Sequence, residues 1–223
     1  MLRRTALFVL ILTILLVTGW VIAADWRPAE ADYPSQGIDV SQRQGIIDWE
    51  ALPDDVDFAY IKATEGNGHI DRRFRSNWAD ARAAGIKRGA YHRFSLCVPG
   101  ADQADGFIGT VPADRDMLPP AVELRFEGNC SERPTPDALA TELTIFVKRI
   151  EARYGRRVLL YLTREFDGGY EVSRRFPDQP LWLRSIALKP DWGRRPWTLW
   201  QASSFRRIAG ISGPVDWNVA ARP

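Results

Sequence analysis

Glu123, Arg125 and Glu127 occupy alternate positions in and just after the short stretch Pro120–Phe126. On a strand such residues share one face, so two carboxylates would flank one guanidinium. Carboxylic acids can give or take protons in catalysis. Arginine cannot, because it keeps its proton far above neutral pH. Comparable groups recur where other β-type runs end: Asp39 and Ser41; Lys62, Thr64 and Glu65; Tyr91 and His92; Tyr161; Trp182 and Arg184; Trp200 and Gln201; Asp216 and Asn218. One polar strand end means little, but charged and aromatic groups at every strand end predict a pocket. Nine tryptophans leave sugar binding open, since carbohydrate sites use flat aromatic faces. Trp49, Trp78 and Trp192 read instead as packing or surface residues.

The elements that would carry these residues alternate short β-type runs with helical segments, as parallel β/α folds do. The strand candidates are Gly37–Ser41, Asp57–Ala63, Lys87–Phe94, Pro120–Phe126, Arg157–Thr163, Leu181–Ser185, Trp197–Ala202 and Pro214–Trp217. About eight strands are enough to close a barrel, and such barrels place their sites at the C-terminal strand ends. Helices are expected over Arg72–Ala84, Ala101–Thr110 and Pro136–Tyr154, with Gly85, Gly100, Thr135-Pro136 and Gly155 supplying the turn chemistry. The last three strands lack long intervening helices. The expected fold is therefore α/β: an irregular, TIM-like β/α barrel, with Asp216 beside Asp39 across its seam.

Residues 1–24 differ from this domain. Arg3 and Arg4 precede an uncharged, mostly apolar run from Thr5 to Ala24, and Val21-Ile22-Ala23 resembles a cleavage site. The run also approaches the roughly 20 residues that span a bilayer. It reads as a signal peptide or a membrane anchor, and in either case the domain is exported, periplasmic or extracellular. Residues 25–36 read as a linker with two prolines, and 37–223 as the barrel domain. An exported chain with two cysteines suggests a Cys97–Cys130 disulfide. Arginines and carboxylates are interspersed and the net charge is +2, so there is no nucleic-acid footprint. No metal and no cofactor are expected, because the two histidines have no ligand cluster and there is no phosphate loop.

The ordered motifs resemble glycoside hydrolase family 25, the muramidases that cut peptidoglycan. Gly37-Ile38-Asp39-Val40-Ser41 is similar to the family's opening D-x-S strand, followed by Gln44-Gly45 and Asp48-Trp49. Phe58–Gly66 is similar to its second strand. Asp71, Phe74, Asn77, Ala84-Gly85 and Gly89-Ala90-Tyr91-His92 match the next block. Trp200-Gln201, Gly210-Ile211 and Val215-Asp216-Trp217-Asn218 close the pattern. The resemblance implies a peptidoglycan cleft with Asp39, Glu123 and Asp216 at its catalytic positions. It implies substrate contacts from Lys62, Glu65, Tyr91, Tyr161, Trp182, Trp200, Gln201 and Asn218.

The resemblance breaks at the catalytic strand. The family carries D-x-E there, with the glutamate as general acid; this chain has Glu123-Leu124-Arg125. Arg184 and Ile186 also stand where the family usually has a small residue and a tyrosine. Cleaving a glycosidic bond needs an acid for the leaving oxygen and an anion or neighbouring group across the ring. The substrate's N-acetyl group can take the second role, but nothing at position 125 can take the first. Arg125 is expected to lower the pKa of Glu123 or Glu127, and Glu127 is the candidate substitute acid. Two functions follow: a peptidoglycan-binding domain with weak or no hydrolysis, or an active muramidase. The peptidoglycan glycan strand is the expected partner, with the membrane as a second if residues 5–24 are retained.

Overall fold

The computed structural model describes residues 8, 10–16, 18, 19, 25–128 and 130–222. Arg3, Arg4 and the cleavage-type sequence at Val21–Ala23 lie outside them. Residues 10–16 are helical, with Leu10, Ile11, Leu12, Ile14, Leu15 and Leu16 exposed. Among the described residues no helix is long and apolar enough to cross a membrane.

The strands are β1 (Gln36–Val40), β2 (Phe58–Glu65), β3 (His69–Ile70), β4 (Lys87–Arg93), β5 (Ala121–Leu124), β6 (Leu159–Thr163), β7 (Leu181–Arg184), β8 (Leu199–Arg206) and β9 (Val215–Ala220). The sheet order is β1-β9-β8-β7-β6-β5-β4-β2-β3, and β1 also pairs with β2. That last pairing closes eight strands into a barrel and leaves the short β3 as a hairpin on β2, which the sequence reading did not anticipate. Helices α1 (Phe74–Ala83), α2 (Gly100–Thr110) and α3 (Pro136–Tyr154) match the expected three. Two more, α4 (Arg164–Tyr170) and α5 (Val172–Arg175), were not foreseen. They have 7 and 4 residues, too few for a helical period to show in the sequence.

Helix α3 shows how sequence fixes an element. Thr135 accepts from the Ala138 N–H, Pro136 occupies the first turn, and Gly155 ends the helix at a φ of 65°. Between these caps Leu139, Leu143, Phe146, Val147 and Ile150 are buried, the spacing of one helical face. Fully burying a side chain such as Phe146 stabilises by roughly 1.5–3 kcal/mol. The face packs on α2 and on the outside of the barrel.

Alternation along each strand separates two cores. Ile38, Val40, Ile61, Val122, Leu124, Leu160, Leu162, Leu183 and Trp217 point outward into the layer beneath the helices. Phe58, Tyr60, Ala121, Leu159, Tyr161, Trp182 and Leu199 fill the barrel's interior below the cleft. Gly89 belongs to this interior: a Cβ there would sit 2.5 Å from the Tyr60 ring. The barrel is thus a packed plug below with its polar residues at one rim.

Strand β9 runs antiparallel to both β1 and β8. Asp216 therefore reaches the rim from the N-terminal end of its strand, not from a C-terminal end as expected. Its register partner is Asp39.

Residues 25–35 pack on the barrel instead of spanning freely. Trp26 and Tyr33 lie against the outer core, and Arg27 pairs with Asp55 at 2.8 Å. Gln36 donates to the Pro28 and Tyr33 carbonyls and is itself the first residue of β1.

Candidate active site

A cleft of about 350 Å³ opens at the rim where β1, β2, β4, β5 and β6 end. Asp39, Lys62, Tyr91, Arg93, Glu123, Arg125, Tyr161, Gln201 and Asp216 line it, and Arg43, Gln44 and the 212–214 loop form one wall. Inward-facing alternation delivers these residues: Asp39 from β1, Lys62 from β2, Tyr91 and Arg93 from β4, Glu123 from β5.

Local hydrogen bonding holds the wall. The Ser41 hydroxyl accepts from Arg43 N–H, and the Gln44 side chain accepts from Ser41 N–H at 2.9 Å. This capping box makes a short helical turn over Gln42–Gln44. Buried Asp71 accepts from the Gln42 N–H at 2.8 Å and ties that turn to the loop before α1. Across the cleft, Cys97 and Cys130 form the expected disulfide between the loops after β4 and β5. Closing a loop of that length is worth roughly 3–4 kcal/mol in the chain-entropy model.

The electrostatics centre on three carboxyls, of which Asp39 and Glu123 are buried and Asp216 partly so. Burial pushes Asp39 well above the usual carboxylate range, and facing Asp216 adds to the shift. Asn218 opposes it by donating to Asp39 at 2.8 Å. Burial also raises Asp216, against hydrogen bonds from Ser204 and Gln201. Glu123 is raised as well: desolvation outweighs Arg125, Arg93 and Lys62. This reverses the expectation that Arg125 lowers Glu123. The guanidinium acts in the expected direction but is smaller than the cost of burying the charge.

Arg125 lies in the cleft wall, with Nε 3.2 Å from a Glu123 oxygen. Arg93, which the sequence reading passed over, brings its Nε to 3.8 Å from the other oxygen. Its signal was present: Arg93 is two residues beyond Tyr91 and shares its face. Arg43 and Ser204 also line the cleft and were not singled out.

Several expected contacts lie elsewhere. Glu127 does not share the face of Glu123, because β5 ends at Leu124 and the alternation stops there. Its side chain is 77% exposed, 3.9 Å from Arg125, and outside the cleft lining. A bulge in β2 between Lys62 and Thr64 shifts the register. Thr64 then turns outward to His92, 2.7 Å away, while Glu65 pairs with Lys62 and borders a small neighbouring hollow. Trp200 follows inward-facing Leu199 and so faces the outer core, donating to the Ser185 carbonyl at 2.6 Å. Trp182 and Asn218 face inward but below the cleft; both are fully buried and bonded to each other at 2.8 Å. Trp182 stacks under Tyr161, with ring centroids 4.5 Å apart. It supports the cleft floor and presents no face to a ligand. No group of three or more potential metal ligands occurs among the described residues.

A sequence profile described as Glycosyl hydrolases family 25 matches residues 38–211. The uncharacterized protein YegX of Escherichia coli (strain K12) is 32% identical over 217 residues, 91% of this chain and 78% of that protein. Lysozyme M1 of Streptomyces globisporus is 35% identical over 201 residues, 82% of this chain and 66% of that one. Among solved structures, a family 25 glycosyl hydrolase from Bacillus anthracis superimposes with a TM-score of 0.82 at 33% identity, covering 88% of this chain and 93% of its own. A bacterial lysozyme from Streptomyces coelicolor gives 0.76 at 34% identity, covering 83% and 91%. A match of this extent in sequence and in backbone, over the very strands that build the cleft, means that the chain belongs to glycosyl hydrolases family 25.

Proposed function

We propose that this chain is an exported peptidoglycan-binding domain whose hydrolytic activity is weak or absent. The observation that carries the reading is Arg125 in the cleft wall, 3.2 Å from Glu123, where the family resemblance puts the general acid. A guanidinium cannot protonate a leaving oxygen near neutral pH. Glu127, the residue that could replace it, is exposed to solvent outside the cleft lining. Asp39, Glu123, Tyr91, Tyr161 and Asp216 still converge on one cleft, so glycan binding survives the loss of the acid. Export is supported by Arg3, Arg4 and the apolar run to Ala24, and by the unpacked apolar helix over residues 10–16. Whether that segment is a signal peptide or an anchor to the inner membrane is decided by the N-terminal residue of the mature protein.

One observation favours the alternative, a muramidase hydrolysing the β-1,4 bond between N-acetylmuramic acid and N-acetylglucosamine. Burial raises the pKa of Asp39, Asp216 and Glu123, the direction that favours a proton donor in the cleft without Glu127. Purified cell walls separate the readings. Sedimentation of the protein with walls, at unchanged turbidity, is the expected result; clearing of the suspension at the rate of an ordinary lysozyme would overturn it.

A further inference from the structure

We propose that Arg125 turns the cleft into a receptor for a carboxylate carried by the glycan. The proposal rests on the reading of the cleft as a glycan site and adds the charge of the ligand.

Arginine presents five N–H donors in a fixed fork. Arg125 Nε is buried and has no hydrogen-bond partner. Its ionic partners among the described residues are Glu123 at 3.2 Å and Glu127 at 3.9 Å. Leaving a buried donor unsatisfied is costly. The Arg125 side chain lines the cleft and is 22% exposed, so a ligand carboxylate facing the guanidinium would make two parallel charge-assisted bonds, the geometry arginine suits best.

The neighbouring cations are already engaged. Lys62 is tied to Glu65. Arg93 donates to the Glu127 carbonyl at 2.6 Å and reaches Glu65 at 4.0 Å. Arg125 has no such hydrogen bond. The cleft's own carboxyls do not cancel it. Glu123 is flanked by two guanidiniums, Arg125 at 3.2 Å and Arg93 at 3.8 Å, so its single charge is shared between them. Asp39 and Asp216 are register partners across the seam on β1 and β9, and their shared burial favours the protonated form. A neutral sugar offers the Arg125 fork uncharged oxygens only; an acidic one adds a charge-assisted pair.

In a peptidoglycan strand the carboxylate has two sources, the lactyl ether of muramic acid and the stem peptide attached to it. Calorimetric titration of the full chain in detergent distinguishes them. The probes are a neutral N-acetylglucosamine tetramer, a peptide-free tetrasaccharide alternating N-acetylglucosamine with N-acetylmuramic acid, its methylamide, and the same saccharide bearing stem peptides. The free acid is expected to bind at least about tenfold more tightly than its methylamide. That preference should disappear in Arg125→Gln and shrink in Arg125→Lys, which keeps the charge but loses the fork. A preference seen only with the peptide-bearing form would support the proposal and assign the carboxylate to the peptide. Equal wild-type affinity for acid and amide, peptide-bearing form included, would overturn the carboxylate receptor and leave the glycan reading standing. So would a preference that survives in Arg125→Gln. No binding to any probe would overturn both.

Discussion

On the outer face of β4, His92 is enclosed by Thr64 at 2.7 Å, Gln103 at 2.9 Å and the Phe146 ring at 5.0 Å. Burial lowers its pKa to about 4, so the ring is neutral, with both nitrogens bonded. One residue later on the inner face, Arg93 meets Glu123, and just beyond β5 Arg125 meets the same carboxylate without a hydrogen bond from its Nε. The same strands thus bury ionisable groups in two ways. The outer face satisfies its polar group within the protein, which makes a rigid support. The inner face leaves donors and raised carboxyls facing an open cleft, which is how a protein reserves interactions for a ligand.

The largest test of this contrast is Arg125→Glu. It puts a second carboxyl beside Glu123 in the cleft, where mutual repulsion raises one pKa and creates a proton donor. Wall clearing should rise above wild type by about 10²-fold or more, the usual weight of general acid catalysis. Restoration will fall short of a full lysozyme if Glu123, one methylene longer than the family's aspartate, misplaces its carboxyl. Wild-type clearing that Glu127→Gln abolishes would instead identify Glu127 as the acid.

Phe146→Ala probes the other face. Removing this fully buried ring should cost roughly 3–5 kcal/mol in urea unfolding while leaving the cleft's ligand preference intact. A loss below 1 kcal/mol would mean that the outer layer repacks and is not the rigid support described.

His92 sharpens the same point through pH. Its folded pKa, about 4, is depressed from an unfolded value of about 6.5. The contribution is therefore present above about pH 6.5 and is lost as pH falls toward 4, with a full size on the order of 3 kcal/mol. The His92 imidazole resonances should stay constant from pH 7.5 to 5; titration near 6.5 would show that the ring is not sealed.

The smallest effect is expected at the seam. Burial and Asp216 raise Asp39, so the folded state binds that proton more tightly than the unfolded chain. Stability from this group is present at low pH and is lost as pH rises through the raised pKa. Asp39→Asn removes the penalty. Its stability advantage over wild type should grow from pH 4 to pH 8, while wall binding weakens. An advantage that shrinks over that range would contradict the shared burial of the pair.

The strand candidates all correspond to barrel strands, because alternation and turn residues are local and survive in any context. Helix α3 was readable nearly to the residue, since its caps are written at Thr135-Pro136 and Gly155. The shorter α4 and the hairpin strand β3 carry too few residues for a period to show. Asp39, Lys62, Tyr91, Glu123, Arg125, Tyr161, Gln201 and Asp216 could be picked out because they sit where strands end, and the structure brings all of them to one cleft. Trp200 could have been excluded by counting faces from Gln201, because adjacent residues on a strand cannot both point inward.

What the sequence determined by itself was the order of elements, the pairing partners for the two cysteines, and the arginine at position 125. These depend on residue type and local spacing alone. Three matters waited for the tertiary structure. The β2 bulge decides that Thr64 turns away and Glu65 turns in; a one-residue slip in register leaves no mark on local composition. The end of β5 at Leu124 decides that Glu127 leaves the cleft; where a strand stops depends on its neighbours' hydrogen bonds. The direction of Glu123's pKa depends on desolvation against three cations. Sequence names the charges, but only three-dimensional burial sets the cost of the carboxylate they surround.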